Sequence, residues 1–328
     1  MRGAIEAWRG LSYAIAAVVW ICPAPSWAQT YPSKPVRWII PFDPGSSPDV
    51  VGRVLAERLT RLWGQQVVVE NRVGAAGTLG SAFVAKSAPD GYTLLQANIA
   101  PNAISVSLHA KIPYDQLRDF APITRIGMTP NIITVHPSVP FKSIKQFIVY
   151  AKARPGALSY SAALVGTSPQ LSMELLKLEM KFDIVHIPYR LAAQGVSDTI
   201  AGQIPVNISN VPALIGPVQA GRLRALAVTS AQRVSLLPDV PTMQESGVPG
   251  FEVNSWYGVI APAATPPPLL DKLNADITSV LRMPEIQLRL TEMVIPPSPT
   301  SRNEFDQFIR AEIVRWARVI KDAGIPQQ

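Results

Sequence analysis

Apolar residues recur along this chain in two alternating rhythms. Short runs with apolar side chains at every position or every second one mark buried strands at 36–40 (VRWII), 66–71 (QVVVEN), 92–98 (YTLLQAN), 132–136 (IITVH), 183–189 (DIVHIPY), 205–209 (PVNIS), 223–230 (LRALAVTS) and 257–262 (YGVIAP). Between them the apolar spacing changes to three and four residues, which predicts helices over 48–63, 75–87, 143–153, 169–180, 192–201, 266–282 and 303–323. The first helix places Val50, Val51, Val54, Leu55, Leu59 and Leu62 on one stripe and ends at Gly64, a fitting C′ residue. The last opens with Ser301 and Glu304 at capping-box spacing and buries Phe305, Phe308, Ile309, Ile313 and Val314. Strands alternating with helices predict an α/β fold whose mainly parallel sheets are joined by right-handed crossovers.

One local pattern occurs twice. An apolar strand delivers Gly45-Ser46-Ser47-Pro48 to a helix, and in mid-chain Gly166-Thr167-Ser168-Pro169 precedes the helical run QLSMELLKLEM. Proline at the first helical position leaves uncapped backbone N–H groups facing whatever enters the loop, which is an anion-binding geometry. One such helix terminus in each half predicts a cleft that grips an anion from both sides. Some 300 residues after a leader exceed what one core usually serves, so two lobes are expected. The chain is read as entering the second lobe near 127–131 and returning near 221–226. That gives residues 29–128 and 226–328 in one lobe and 129–225 in the other.

The N-terminus adds an address. Arg2 and Arg9, the apolar run LSYAIAAVVWI and the end Ser26-Trp27-Ala28 read as a cleavable secretory signal over 1–28. Its removal takes away Cys22, the single cysteine, and leaves no disulfide, thiol nucleophile or cysteine–metal site to consider. It lowers the formal charge from +7 by one, and the remaining Lys and Arg are scattered, which argues against nucleic acid as a partner.

Other candidate chemistry is thin. The glycines Gly74, Gly77 and Gly80 follow a strand, yet their spacing is not that of a dinucleotide loop, so tight packing is expected of them and no cofactor. His109, His136 and His186 form no cluster with metal-ligand spacing and are read as structural; no metal is expected. No G-x-S-x-G elbow exists, and Ser47 and Ser168 are explained as helix caps. Asp49 is read as a first-turn carboxylate stabilising its helix. Arg190, in the loop IPYRLAAQG, stands where a guanidinium either pairs with a ligand carboxylate or stays in solvent.

Taken in order, VRWIIPFDPGSSPDVVGRVLAERL, VVVENRVGAAGTLGSAFVAKSAPDGYTLL, DFAPITRIG, VHIPYR, GRLRALAVTSAQR, LPDVPTMQESGVPGFEVNSWYGVIAP and IRAEIVRWARVIKDAGI resemble the Bug receptors, the TctC-type solute-binding proteins of tripartite tricarboxylate transporters. The likeness runs through nearly all of the chain after the leader. It implies a two-lobed, Venus-flytrap periplasmic binding fold without catalytic residues or cofactor. The implied partners are a small organic carboxylate and the membrane permease subunits that receive it, and the implied state is monomeric. Ligand contacts implied by the family pattern are Phe42, Asp43, Gly45, Ser46 and Ser47 after the first strand, and Asn98 and Asn102. In the second lobe they are Ala163, Leu164, Gly166, Thr167 and Ser168, then Tyr189, Arg190 and Leu191, with Ser209 at a position where relatives often carry aspartate.

Departures from that pattern bear on the ligand. The first loop reads Asp43-Pro44-Gly45-Ser46-Ser47 instead of a PPGGG-like run, and Ala162-Ala163-Leu164-Val165 replaces a polar segment. Leu191 stands in place of a common glycine. Apolar groups lower the cost of burying a hydrocarbon, by about 25 cal/mol per Å², and penalise hydroxyl-rich ligands left unpaired. An aromatic or largely apolar carboxylic acid is therefore expected in preference to citrate or an amino acid, with Asp43 the residue that opposes an anion if it faces the cleft. A receptor of the same build that reports to a membrane sensor kinase is the alternative reading. A secreted enzyme needs a base and nucleophile in reach, or a metal, and these residues supply neither.

Overall fold

The computed structural model describes residues 31–328, so the signal segment expected at 1–28, Cys22 included, lies outside the described residues. Nine strands occur among them: β1 (Val36–Ile40), β2 (Val67–Asn71), β3 (Thr93–Asn98), β4 (Phe120–Val135), β5 (Ser159–Ala162), β6 (Val185–Pro188), β7 (Val206–Asn210), β8 (Arg224–Val228) and β9 (Asn254–Pro262). The α-helices are α1 (Ser47–Trp63), α2 (Thr78–Ala85), α3 (Ser105–Leu108), α4 (Ile144–Ala153), α5 (Ser168–Met180), α6 (Ala192–Ile200), α7 (Ile215–Gln219), α8 (Pro267–Leu281), α9 (Pro284–Glu292) and α10 (Arg302–Asp322).

The strands run in the order β2-β1-β3-β9-β4-β7-β5-β6, with β8 also on β4. Two sheets meet in that order because β4 changes partners along its length. Its residues Phe120–Pro130 pair with β9, whereas Asn131–Val135 pair with β7 and, from Ile132 on, with β8. Strands away from the junction are parallel, β1 with β2 and β3, and β5 with β6 and β7. Those at the junction are antiparallel. Each sheet is therefore mixed, since β4 and β9 run in opposite directions between the lobes.

Prolines shape the long strand. Pro122 sits at a register shift and Pro130 is the last position opposite β9 before the partner changes, places where a missing N–H breaks little of the ladder. They also interrupt the apolar pattern, which is why the sequence predicts only the end of β4. β5 went unpredicted because Ser159 and Ser161 dilute it. The Ser161 hydroxyl is fully buried, 2.9 Å from Thr199 Oγ1, and accepts from Asn207 Nδ2 at 2.8 Å. The helix expected over 75–87 starts only at Thr78, since Ala75, Ala76 and Gly77 have φ of 46°, 52° and 92°.

Helix α1 buries Val51, Leu55 and Leu59 and ends at a left-handed Gly64, as its pattern predicts, although Leu62 remains 46% exposed. Helix α10 has the full Ser301–Glu304 capping box; Phe305 and Ile309 are buried, while Val314 is 71% exposed and does not join the core. The α10 carboxylate Glu312 accepts the indole N–H groups of Trp256 on β9 and Trp316, each at 3.1 Å in a buried site. Replacing it with alanine strands two buried donors. At about 1–3 kcal/mol for each, Glu312→Ala is expected to lower stability by roughly 2–6 kcal/mol, measured as the shift of a urea unfolding midpoint at unchanged slope.

Candidate functional site

Because β1, β2 and β3 are parallel, their C-terminal ends share one edge of the first sheet, and the ends of β5, β6 and β7 share one edge of the second. Ligands of open α/β sheets bind at such edges. The two turns singled out by sequence leave these edges with the same hydrogen bonds. In the first, Ser46 donates to the Asp43 carbonyl from its N–H (3.2 Å) and its Oγ (2.6 Å), and the Gly45 N–H donates to the Asp49 carboxylate (2.9 Å). In the second, Thr167 donates to the Leu164 carbonyl from its N–H (3.3 Å) and its Oγ1 (2.9 Å), and the Gly166 N–H donates to Gln170 Oε1 (3.2 Å). Gly45 and Gly166 take left-handed φ of 78° and 85°, a region that L side chains disfavour.

The caps are Ser46 and Thr167, one residue earlier than the sequence placed them, and neither hydroxyl bonds into its helix. Both are turned back to the carbonyl three residues behind. The first-turn amides of Ser47 and Asp49 in α1, and of Ser168 and Gln170 in α5, thus have neither an intrahelical acceptor nor a side-chain cap, and Pro48 and Pro169 contribute no N–H. Such amides accept an anion.

Asp49 anchors the first turn. It is 2% exposed, accepts from Gly45, from Arg53 Nε at 2.9 Å and from Asn71 Nδ2 at 2.8 Å, and Asn71 also holds the Phe42 carbonyl at 3.0 Å. Burial pulls its carboxyl upward, but the hydrogen bonds from Arg53, Gly45 and Asn71 outweigh this and leave it below the ordinary carboxylate value. Gln96, fully buried on β3, accepts from Trp38 Nε1 at 3.0 Å and donates to the Pro48 carbonyl at 2.6 Å, tying α1 to the sheet beneath it.

The other predicted positions divide. Phe42 lies beside the Gly74–Gly77 turn: a Cβ built on Gly77 meets Phe42 Cζ at 3.4 Å and Pro101 Cγ at 3.1 Å, so the three strand-end loops of the first sheet converge. Asp43 is exposed. Asn98 is 8% exposed, and Asn102, fully buried, spends its amide on Asn98 N–H (2.9 Å) and Gln116 Oε1 (2.8 Å), which shapes the loop from within. In the second lobe Leu164 and Leu191 are 43% and 54% exposed on the loops after the adjacent strands β5 and β6, with Arg190 exposed beside Leu191.

The Ala163 carbonyl accepts from His186 Nε2 at 3.2 Å, and that imidazole stacks on Tyr160; its burial lowers its pKa and keeps it neutral. Tyr189 donates its hydroxyl to Asp198 at 2.6 Å, a bond that with burial pushes its pKa up to about 12, so the hydroxyl is spent inside the second lobe. Ser209, 3% exposed, faces Ile132 in the β4–β7 ladder. Gly166 abuts α3 of the first lobe, its built Cβ lying 2.5 Å from Leu108 Cδ2, so the second lobe's turn reaches across to the first.

Among the described residues no group of three or more His, Cys, Asp or Glu is arranged to hold a metal. A groove of about 940 Å³ runs between α5 and α10, but none of the loop residues lines it. Sequence reading missed Gln96, Asn71 and the linked pair of buried Asn131 and partly buried Asn210. Their partners lie 22 or more residues away, and single-residue patterns carry no sign of that.

The sequence profile of the tripartite tricarboxylate transporter family receptor matches residues 51–325. The protein BugT of Bordetella pertussis is 38% identical over 302 residues, 92% of this chain and 93% of its own length. Among solved structures, R. palustris Rpa4515 with adipate is 34% identical, with a TM-score of 0.84 over 90% of this chain and 99% of that one. MatC from Rhodopseudomonas palustris with bound malate is 29% identical, with a TM-score of 0.79 over 88% and 100%.

The Asp49 carboxylate carries a pH signature. Because its folded pKa is depressed, its contribution is fully present above the unfolded value of about 3.9 and is lost as the pH falls through the lower folded value. Asp49→Asn is expected to cost about 1–3 kcal/mol at neutral pH. The gap to the wild type should narrow as the pH drops below about 4, read from melting temperatures across an acid series.

Proposed function

The chain belongs to the tripartite tricarboxylate transporter receptor family, and from that membership we propose that it captures a small organic carboxylate in the periplasm and delivers it to the membrane permease subunits of such a transporter. The observation that carries this reading is the pair of matched turns, one on each sheet edge, whose unspent helix amides suit the oxygens of one carboxylate. The strand pairing supports one lobe made of the residues up to Pro130 together with those from Asn254 on, and a second of Asn131–Val228. The return then falls after β8 and not near 225. Closure is an equilibrium biased by contacts that only the closed form makes from both lobes.

The ligand class follows from what lies beside those amides. Leu164 and Leu191 leave two exposed apolar side chains on the loops after neighbouring strands, and burying such a leucine against a hydrocarbon contributes about 1 kcal/mol. Tyr189, its hydroxyl committed to Asp198, offers its ring and not a donor. These features support a carboxylate with an aromatic or aliphatic body, and the exposed Arg190 is the proposed partner of a second anionic end. Rpa4515 is solved with adipate, a carboxylate of this kind.

A thermal-shift screen tests the reading, since a ligand at 100 times its dissociation constant stabilises the native state by about 2.7 kcal/mol. Shifts with adipate or benzoate-like acids, reduced in a Leu164→Ser, Leu191→Ser variant, are the expected result. A stronger shift with citrate or glutamate would overturn the apolar ligand class, and no shift with any carboxylate would overturn the receptor reading.

A further inference from the structure

A polar cluster lies where β4 leaves one sheet for the other. Asn131 is fully buried; its Nδ2 donates to Ser168 Oγ (2.9 Å) and Ser172 Oγ (2.8 Å), and its Oδ1 accepts from Asn210 Nδ2 (2.8 Å). Asn210 Nδ2 donates its second hydrogen to Ser255 Oγ on β9, at 2.9 Å. The chain Ser255–Asn210–Asn131–Ser168 therefore starts in the first sheet and ends at the first residue of α5. Its polarity is fixed by one proton. Ser172 donates its only hydroxyl hydrogen to the Ser168 carbonyl at 2.8 Å, so its Oγ faces Asn131 as an acceptor, and the nitrogen of Asn131 must point toward α5. Ser168 Oγ then receives a hydrogen from Asn131, and its own hydrogen is directed away from the network.

We propose that Asn131 and Asn210 are positioning residues: they hold the Ser168 hydroxyl as an outward hydrogen-bond donor to the ligand carboxylate and link its placement to β9 of the other lobe. The inference rests on the receptor reading and extends it to residues that touch no ligand. An acceptor-only side chain at 131 reverses the relay, because Ser168 then turns its hydrogen inward. A hydroxyl lost at 255 leaves Asn131 and Ser168 intact but releases the chain from the first lobe.

Two variants test this with adipate as the probe. In the ligand-free protein, Ser255→Ala is expected to speed hydrogen exchange of the 165–171 amides by about two- to tenfold, although Ser255 does not touch them. Asn131→Asp is expected to weaken adipate binding by about tenfold or more, and to do so much less in a Ser168→Ala background. Equal losses in both backgrounds would mean that the new charge merely repels the anion, and would overturn the relay. Unchanged exchange in Ser255→Ala would overturn it independently. Should the wild-type chain ignore adipate, the ligand reading falls, and the exchange result alone upholds or overturns the relay.

Discussion

A buried side-chain amide must spend both hydrogens and its oxygen, and Asn131 can do so only if three elements meet at one point. Those elements are the start of α5, the end of β7 and the junction of β4 with β9. Satisfying this amide fixes where α5 begins relative to the sheet beneath it. The position of α5 in turn sets the Gly166–Ser168 turn that offers its amides to an anion. Removing any one partner leaves a donor or acceptor unpaired in an environment where that costs about 1–3 kcal/mol, so the junction and the site are stabilised together.

The two matched turns are alike in geometry and unlike in charge. In the first lobe the glycine amide is held by the Asp49 carboxylate, in the second by the neutral Gln170 side chain. A helix N-terminus carries about half a positive charge, and a buried carboxylate in the first turn cancels much of it, even when paired with Arg53 as Asp49 is. No such charge opposes α5, whose first turn contains no acidic residue. The helix dipole at the start of α5 is therefore the less opposed of the two. In the first lobe Phe42 lies where the strand-end loops converge.

Much of this was legible in the sequence, for identifiable reasons. The paired Gly-Ser-Ser-Pro and Gly-Thr-Ser-Pro turns were readable because glycine, hydroxyl and proline each have a fixed place at a helix entry. The capping box of α10 was readable for the same reason. Most of β4 was not, because Pro122 and Pro130 look like strand breakers until a register shift and a change of partner accommodate them. Helix α9 went unpredicted, and Val314 was assigned to a core that it does not reach. Asn102, read as a ligand contact, also bonds the Asn98 N–H and Gln116 Oε1, partners that local sequence does not reveal. The Asn131 network was invisible because its partners are 37, 41 and 79 residues away.

At the junction one threonine joins both chain crossings. Pro130, the last position opposite β9, has no N–H and so donates nothing to the ladder where the partner changes. The next residue is stitched by a side chain: the Asn131 N–H donates to Thr229 Oγ1 at 2.8 Å, and that hydroxyl donates to the Val253 carbonyl at 2.5 Å. Thr229 N–H returns to the Asn131 carbonyl, and Val253 N–H to the Thr229 carbonyl. A hydroxyl reorients about its C–O bond as the strands shift, whereas a backbone carbonyl is fixed by its peptide plane. Both chain crossings thus combine backbone bonds with one rotatable hydroxyl, bonded to the N–H of the asparagine that holds the start of α5.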